Sequence, residues 1–199
     1  MNISEIHEWH KNNYLVSTDR KKLDVQAIHL YLTRSTWAKG IDLDLVSASV
    51  ENSLNFGVYH DETQIGFARL ITDYATFAYL CDVYILEEYQ GEGLGRWVMQ
   101  CIHHHPVFER LRRIMLFTTT APWLYEKFGY EPVNRENYAW SITRPDIYTH
   151  VKKTGRPVVI FISELAYTLL SLQCPLGTKR TITSFRSSPE AYHIFHIGP

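Results

Sequence analysis

Three glycines fall within five positions of YQGEGLGRWVM, residues 89–99, between an apolar run and a helical pattern. Glycine lets backbone amides approach an anion with no side chain in the way. A helix beginning at Gly93-Leu94 would aim free N–H groups and the positive end of its dipole at the same point. The chemistry to expect is the gripping of a diphosphate, and spacing separates the forms that such a grip takes. A Walker loop ends in Gly-Lys-Ser/Thr, whereas Gly95 is followed by Arg96-Trp97. A dinucleotide fingerprint counted from Gly91 meets Gly93, then Arg96 where a third glycine should pack helix on strand. Its acidic ribose partner is also missing, because the next strand pattern ends in Thr118-Thr119-Thr120. A turn built for packing alone has the same composition.

Asp82 is the second residue of chemical interest. It interrupts AYLCDVYIL, an otherwise apolar and aromatic strand pattern, where an unpaired carboxylate is expensive to bury. Such a group is either satisfied by a partner such as Arg69 or used as a base, its proton affinity raised by desolvation. Asp73 sits between two strand patterns and reads as a turn former, while Glu87 and Glu88 suit solvent near a helix start. The run His103-His104-His105 cannot close on one ion, since consecutive helical side chains point about 100° apart. A helix end that favours cations is the expected account, and no metal is expected. Cys81 lies in a strand pattern with no histidine partner identifiable, so it is not expected to act as a nucleophile.

The elements that must hold these residues emerge from periodicity. NNYLVSTD is a short strand pattern, and LDVQAIHLYLTRSTW places Val25, Ile28 and Leu32 at helical spacing with Asp24 as cap. IDLDLVSASVENS reads as a second helix. LNFGVYHDETQIGFARLIT and TFAYLCDVYIL make three strands, with turns at residues 60–63 and 73–75. GRWVMQCIHHH is a helix stopped by Pro106, RRIMLFTTT a strand, and PWLYEKFGY a helix ending at Gly129. NYAWSITRP completes the pattern as a last strand. The predicted class is α/β: a mixed, mostly antiparallel sheet with helices on both faces.

With the hexapeptide QGEGLG, Gln90 to Gly95, in the form Gln/Arg-x-x-Gly-x-Gly/Ala between strand and helix, the sequence resembles the GNAT superfamily of N-acetyltransferases. The resemblance runs from about residue 12 to residue 148 in the family's element order, which implies that GYEPV is the first of two final strands, with WLYEKFGY as a second local match. STWAKGI, PDIY and the stretch around the glycine turn resemble a bacterial subgroup whose acceptor is unnamed. The resemblance implies the GNAT acyl-CoA N-acyltransferase fold, with acetyl-CoA as cosubstrate and direct transfer in a ternary complex. It also implies that Tyr84, Ile85 and Leu86 lie beside the pantetheine arm and that Gln90, Gly91, Glu92, Gly93, Leu94 and Gly95 surround the diphosphate. By the same match Tyr125 protonates the departing thiolate, and Asp82 or a water takes the amine proton. Trp37, Tyr74, Phe77 and Trp123 are expected to line an aromatic acceptor pocket, suited to a cationic or aromatic amine; core packing explains them equally. The acceptor could be a small-molecule amine or a peptide or protein amino group. A noncatalytic CoA-binding or interaction module on the same fold is the alternative.

The whole chain, 199 residues with 45% hydrophobic and 14% aromatic content, can bury a sizeable core. A formal net charge of -1 argues against a nucleic-acid binder working by bulk charge. Three cysteines, Cys81, Cys101 and Cys174, and an N-terminus without a secretory pattern point to the reducing cytoplasm. The longest apolar stretch, residues 157–174, is short for a bilayer span and carries Glu164, so no membrane role is expected. From residue 149 six cations face two acids, a local charge of +4 that leaves -5 elsewhere. This shift divides the chain into an acetyltransferase-like domain, residues 1–148, and an extension, 149–199, which could extend the sheet, cover an apolar patch or mediate a homodimer.

Overall fold

The structure is a computed structural model, and it describes residues 5–150; the predicted C-terminal extension, apart from residues 149–150, lies outside the described residues. Six strands form one sheet in sequence order: β1 (Glu8–Lys11), β2 (Tyr14–Ser17), β3 (Leu54–His60), β4 (Thr63–Thr72), β5 (Phe77–Ile85) and β6 (Arg113–Met115). All neighbours are antiparallel except β5 and β6. Helices α1 (Val25–Leu32) and α2 (Leu43–Glu51) precede β3, and α3 (Leu94–His104) and α4 (Pro122–Glu126) flank β6. A one-turn helix, α5 (Ile147–His150), ends the described chain.

The sheet separates two cores. Ile28 and Leu32 of α1 and Val46 and Val50 of α2 pack with Phe67 and Tyr84. On the other side Leu94, Val98, Met99 and Ile102 of α3 pack with Phe56, Leu70, Leu80 and Ile85. Asp24 caps α1 as its sequence position suggests, accepting from the Ala27 amide at 3.0 Å. Asp73 accepts from the Thr76 hydroxyl at 2.6 Å and from the amides of Ala75, Thr76 and Phe77, which closes the β4–β5 turn and holds its carboxyl well below the ordinary range.

The pairing of β4 with β5 is broken at one point. Opposite Ala68 of β4, strand β5 carries two residues, Asp82 and Val83, because Phe67 pairs with Tyr84 and Arg69 with Cys81. Asp82 takes a left-handed backbone, φ 53°, as a bulged residue can. The bulge switches the alternation of the strand: Ala78 and Leu80 face the α3 core before it, whereas Ile85 faces that core and Tyr84 the opposite one after it.

The structure departs from the sequence reading at both ends. β1 was not expected, since its Glu-Trp-His-Lys sequence has no apolar face to announce it. The strands predicted at GYEPV and NYAWSITRP do not form. Pro132 has no N–H to give a ladder, Asn137 is left-handed at φ 55°, and the Asn134 and Tyr138 amides close local turns onto Pro132 and Arg135. β6 is also shorter than predicted, pairing only with Phe77, Ala78 and Tyr79 before the two strands part.

Candidate active site

The glycine turn sits directly beyond the end of β5, through one turn of 3-10 helix at Glu87–Tyr89. Gly91 and Gly93 adopt φ 88° and 76°, backbone that disfavours any residue with a β-carbon. A β-carbon built at either would meet nothing within 4 Å, so the outer face of the turn is open. Gly93 caps α3 without a side-chain bond. Among the described residues, the amides from Gly91 to Arg96 donate to no backbone carbonyl outside regular structure, and the first turn of α3 leaves its own N–H groups free. The cradle can therefore accept an anion such as a diphosphate.

The side chains of the turn do other work. Gln90 donates to the Ile85 carbonyl at 2.9 Å, fastening the turn to the end of β5. Glu92 accepts from the Tyr14 hydroxyl at 2.6 Å and ties the turn to β2. Leu94 is buried in the core. Gly95 lies beside α4, since a β-carbon there would stand 3.9 Å from Leu124 Cδ2. The residue after Leu124 is Tyr125, so the start of α3 and the predicted acid are carried by adjoining helices.

Where β5 and β6 part, a cleft of about 300 Å³ opens between Leu80–Val83 and Leu116–Ala121. Trp37, Asp82 and Tyr125 all line it. The Asp82 carboxylate is fully engaged: Arg69 Nε donates to Oδ2 at 2.6 Å, and Trp37 Nε1 donates to Oδ1 at 3.1 Å. Arg69 also donates to the Ser53 hydroxyl, at 3.0 Å. Asp82 is thus the arginine partner that the sequence allowed, and in addition the anchor of a loop between α1 and α2. Tyr125 is half-buried with its ring 5.9 Å from that of Tyr130, edge to face, and burial raises the pKa of its hydroxyl above the ordinary phenol value.

The other expected residues are dispersed. Tyr84 is buried, its ring stacked 3.7 Å from that of Tyr31, so only its backbone is left to meet a ligand. Ile85 is buried and Leu86 donates its amide to the Ile65 carbonyl at 2.8 Å. Tyr74, Phe77 and Trp123 do not line the cleft. Tyr74 packs against the α3 core, Phe77 opens β5, and Trp123 lies on α4 with the Lys127 ammonium 5.2 Å over its ring. Tyr79 and Phe117 stand in their place, with ring centroids 5.6 Å apart. Strand alternation could have nominated Tyr79, two residues from Cys81 on the same face; Phe117 could not be placed without knowing where β6 ends.

Cys81 also lines the cleft, but burial and the neighbouring Asp82 push its thiol up to about 12, so it is protonated at neutral pH. The histidine run needs correction. His103 packs against Phe108 and Phe128, and His105 is buried, its Nδ1 accepting from the Val107 amide at 3.2 Å. Burial lowers both to about 4, so these two are neutral core residues rather than cations at a helix end. Among the described residues no group of three or more histidine, cysteine or acidic side chains is placed to hold a metal, and no helix is long and apolar enough to cross a membrane.

Comparison with known proteins bears on this geometry. The acetyltransferase (GNAT) domain family matches residues 51–132. A Gibberella zeae protein described as an acetyltransferase is 36% identical over 148 residues, covering 64% of this chain and 84% of the relative. A crystal structure from Xanthomonas campestris pv. campestris, described as an acetyltransferase of the GNAT family, aligns with a TM-score of 0.66 at 38% identity, over 73% of this chain and 97% of the other. A Staphylococcus aureus protein of unknown function shares the fold, with a TM-score of 0.56 at 21% identity over 66% of this chain and 99% of its own.

Proposed function

The chain belongs to the GNAT family of acetyltransferases, and we propose that it transfers an acetyl group from acetyl-CoA to a primary amine by direct attack in a ternary complex. One observation carries the reading: the free amide cradle at the start of α3 adjoins α4, and α4 carries Tyr125 into the cleft where β5 and β6 separate. The cradle would hold the diphosphate, and the bulged end of β5 would offer backbone to the thiol-bearing arm. The bound thioester supplies an activated acetyl group.

In this proposal the amine nitrogen bonds to the thioester carbonyl carbon, the carbon–sulfur bond breaks, and the Tyr125 hydroxyl protonates the departing thiolate. The proton lost by the amine returns to the tyrosinate. A phenol with an ordinary pKa of about 10 is a weaker acid than a thiol at about 8.5, so donation is uphill by ~2 kcal/mol before positioning is counted. Both oxygens of Asp82 already accept strong bonds, which favours a water over Asp82 as the first acceptor of the amine proton. The protonated Cys81 is likewise a poor nucleophile, in keeping with direct transfer. The test is thiol release from acetyl-CoA across a panel of amines. Turnover with a defined amine is expected, whereas coenzyme A binding without turnover on any amine would point to a noncatalytic module.

A further inference from the structure

The cleft's walls speak to what kind of amine enters, an inference that rests on the acetyl-transfer reading. Trp37 is 52% exposed and Phe117 is 74% exposed, yet both line the cleft, as does Tyr79 of β5. The Trp37 ring is not free to turn away, because its N–H is pinned to Asp82 across 45 residues of sequence. Large aromatic faces held in solvent at the mouth of a cleft suit a flat apolar body.

Charge narrows the class further. Among the described residues, no lysine, arginine or histidine lines this cleft. The one acid that does, Asp82, already has its counter-ion in Arg69. A carboxylate or phosphate beside the acceptor's amine would lose water here and find no cation, which is costly. A second ammonium, as in a polyamine, would find no unpaired acid. A single ammonium on an aromatic body can instead lie against the ring faces until it loses its proton.

We propose that the acceptor is an arylalkylamine: one primary amine on a short chain from an aromatic ring, with no acidic group. Trp37 and Phe117 determine this specificity, and Asp82 is a positioning residue that acts through Trp37.

The pair 2-phenylethylamine and L-phenylalanine isolates the point, since they differ by one carboxylate. Calorimetric titration of the full-length protein saturated with coenzyme A should show 2-phenylethylamine binding at least about tenfold more tightly than L-phenylalanine or spermidine. Trp37→Ala should weaken 2-phenylethylamine by about tenfold, and Phe117→Arg, at an exposed position, should shrink its advantage over L-phenylalanine by a similar factor. Equal or tighter binding of L-phenylalanine or spermidine overturns the assignment, as does failure of 2-phenylethylamine to bind at millimolar concentration. Thiol release is measured in parallel. Binding that depends on Trp37 without any turnover would sink acetyl transfer and leave the ligand class standing; turnover on the amino acid in preference to the amine would do the reverse.

Discussion

Tyr125 and Asp82 face one cleft from opposite walls, but their surroundings assign them different duties. Among the described residues Tyr125 has no charged partner, and its hydroxyl is made less acidic by burial, as befits a proton donor that stays protonated until a thiolate forms. Replacing it with phenylalanine should lower kcat by roughly a hundredfold or more while coenzyme A affinity by calorimetry stays nearly unchanged. An undiminished kcat would remove it as the acid. Asp82 is 9% exposed and paired with an Arg69 that is itself 14% exposed, so deleting either partner strands a charge. Arg69→Met should cost about 3 kcal/mol in denaturant unfolding, more than a surface pair is worth. The sequence made Asp82 conspicuous, as a carboxylate in an apolar strand, and offered Arg69 as its partner. It could not offer Trp37, because a contact across 45 residues depends on where the α1–α2 loop lands.

At the scale of elements, the glycine turn was legible because its function is written in backbone, and backbone preferences are local. Gly93→Ala should cost about 1–2 kcal/mol through its left-handed conformation alone, since the added methyl meets nothing. Coenzyme A affinity should fall with it; a variant of wild-type stability and affinity would contradict the cradle. Gly66 makes the opposite case. A β-carbon there would come within 2.7 Å of the Tyr84 carbonyl, which is backbone and cannot swing aside, and within 2.6 Å of Ile85 Cδ1. Gly66→Ala should therefore push β4 from β5 beside the bulge and cost roughly 1–3 kcal/mol, read as a lowered denaturation midpoint. Strands were less legible than helices. β1 has no apolar alternation to reveal it, and the alternation in NYAWSITRP suggested a strand where left-handed Asn137 and local turns prevail, leaving Trp140 84% exposed.

Over the whole molecule, the two-sided arrangement about one sheet was predictable from the order of amphipathic helices and strand patterns, since each apolar face needs a partner. The pH response was not. His105, 4% exposed, and His103 are held neutral in the fold with values near 4, against about 6.5 when unfolded. The unfolded chain binds more protons between those values, so their contribution is complete above pH 6.5 and is lost as pH falls toward 4. For His105 that loss amounts to about 3 kcal/mol, and unfolding midpoints measured between pH 7 and 4.5 should fall accordingly, less steeply in His105→Gln. A flat profile in this window would place these rings in water. The bulge at Asp82 has a consequence at this scale too. Deleting that one residue would straighten β5, and Tyr84 would exchange sides of the sheet with its neighbours, leaving Tyr31 without its stacking partner. A regular strand and two filled cores are incompatible in this chain, so the kink that faces the cleft is also what keeps the halves of the protein in register.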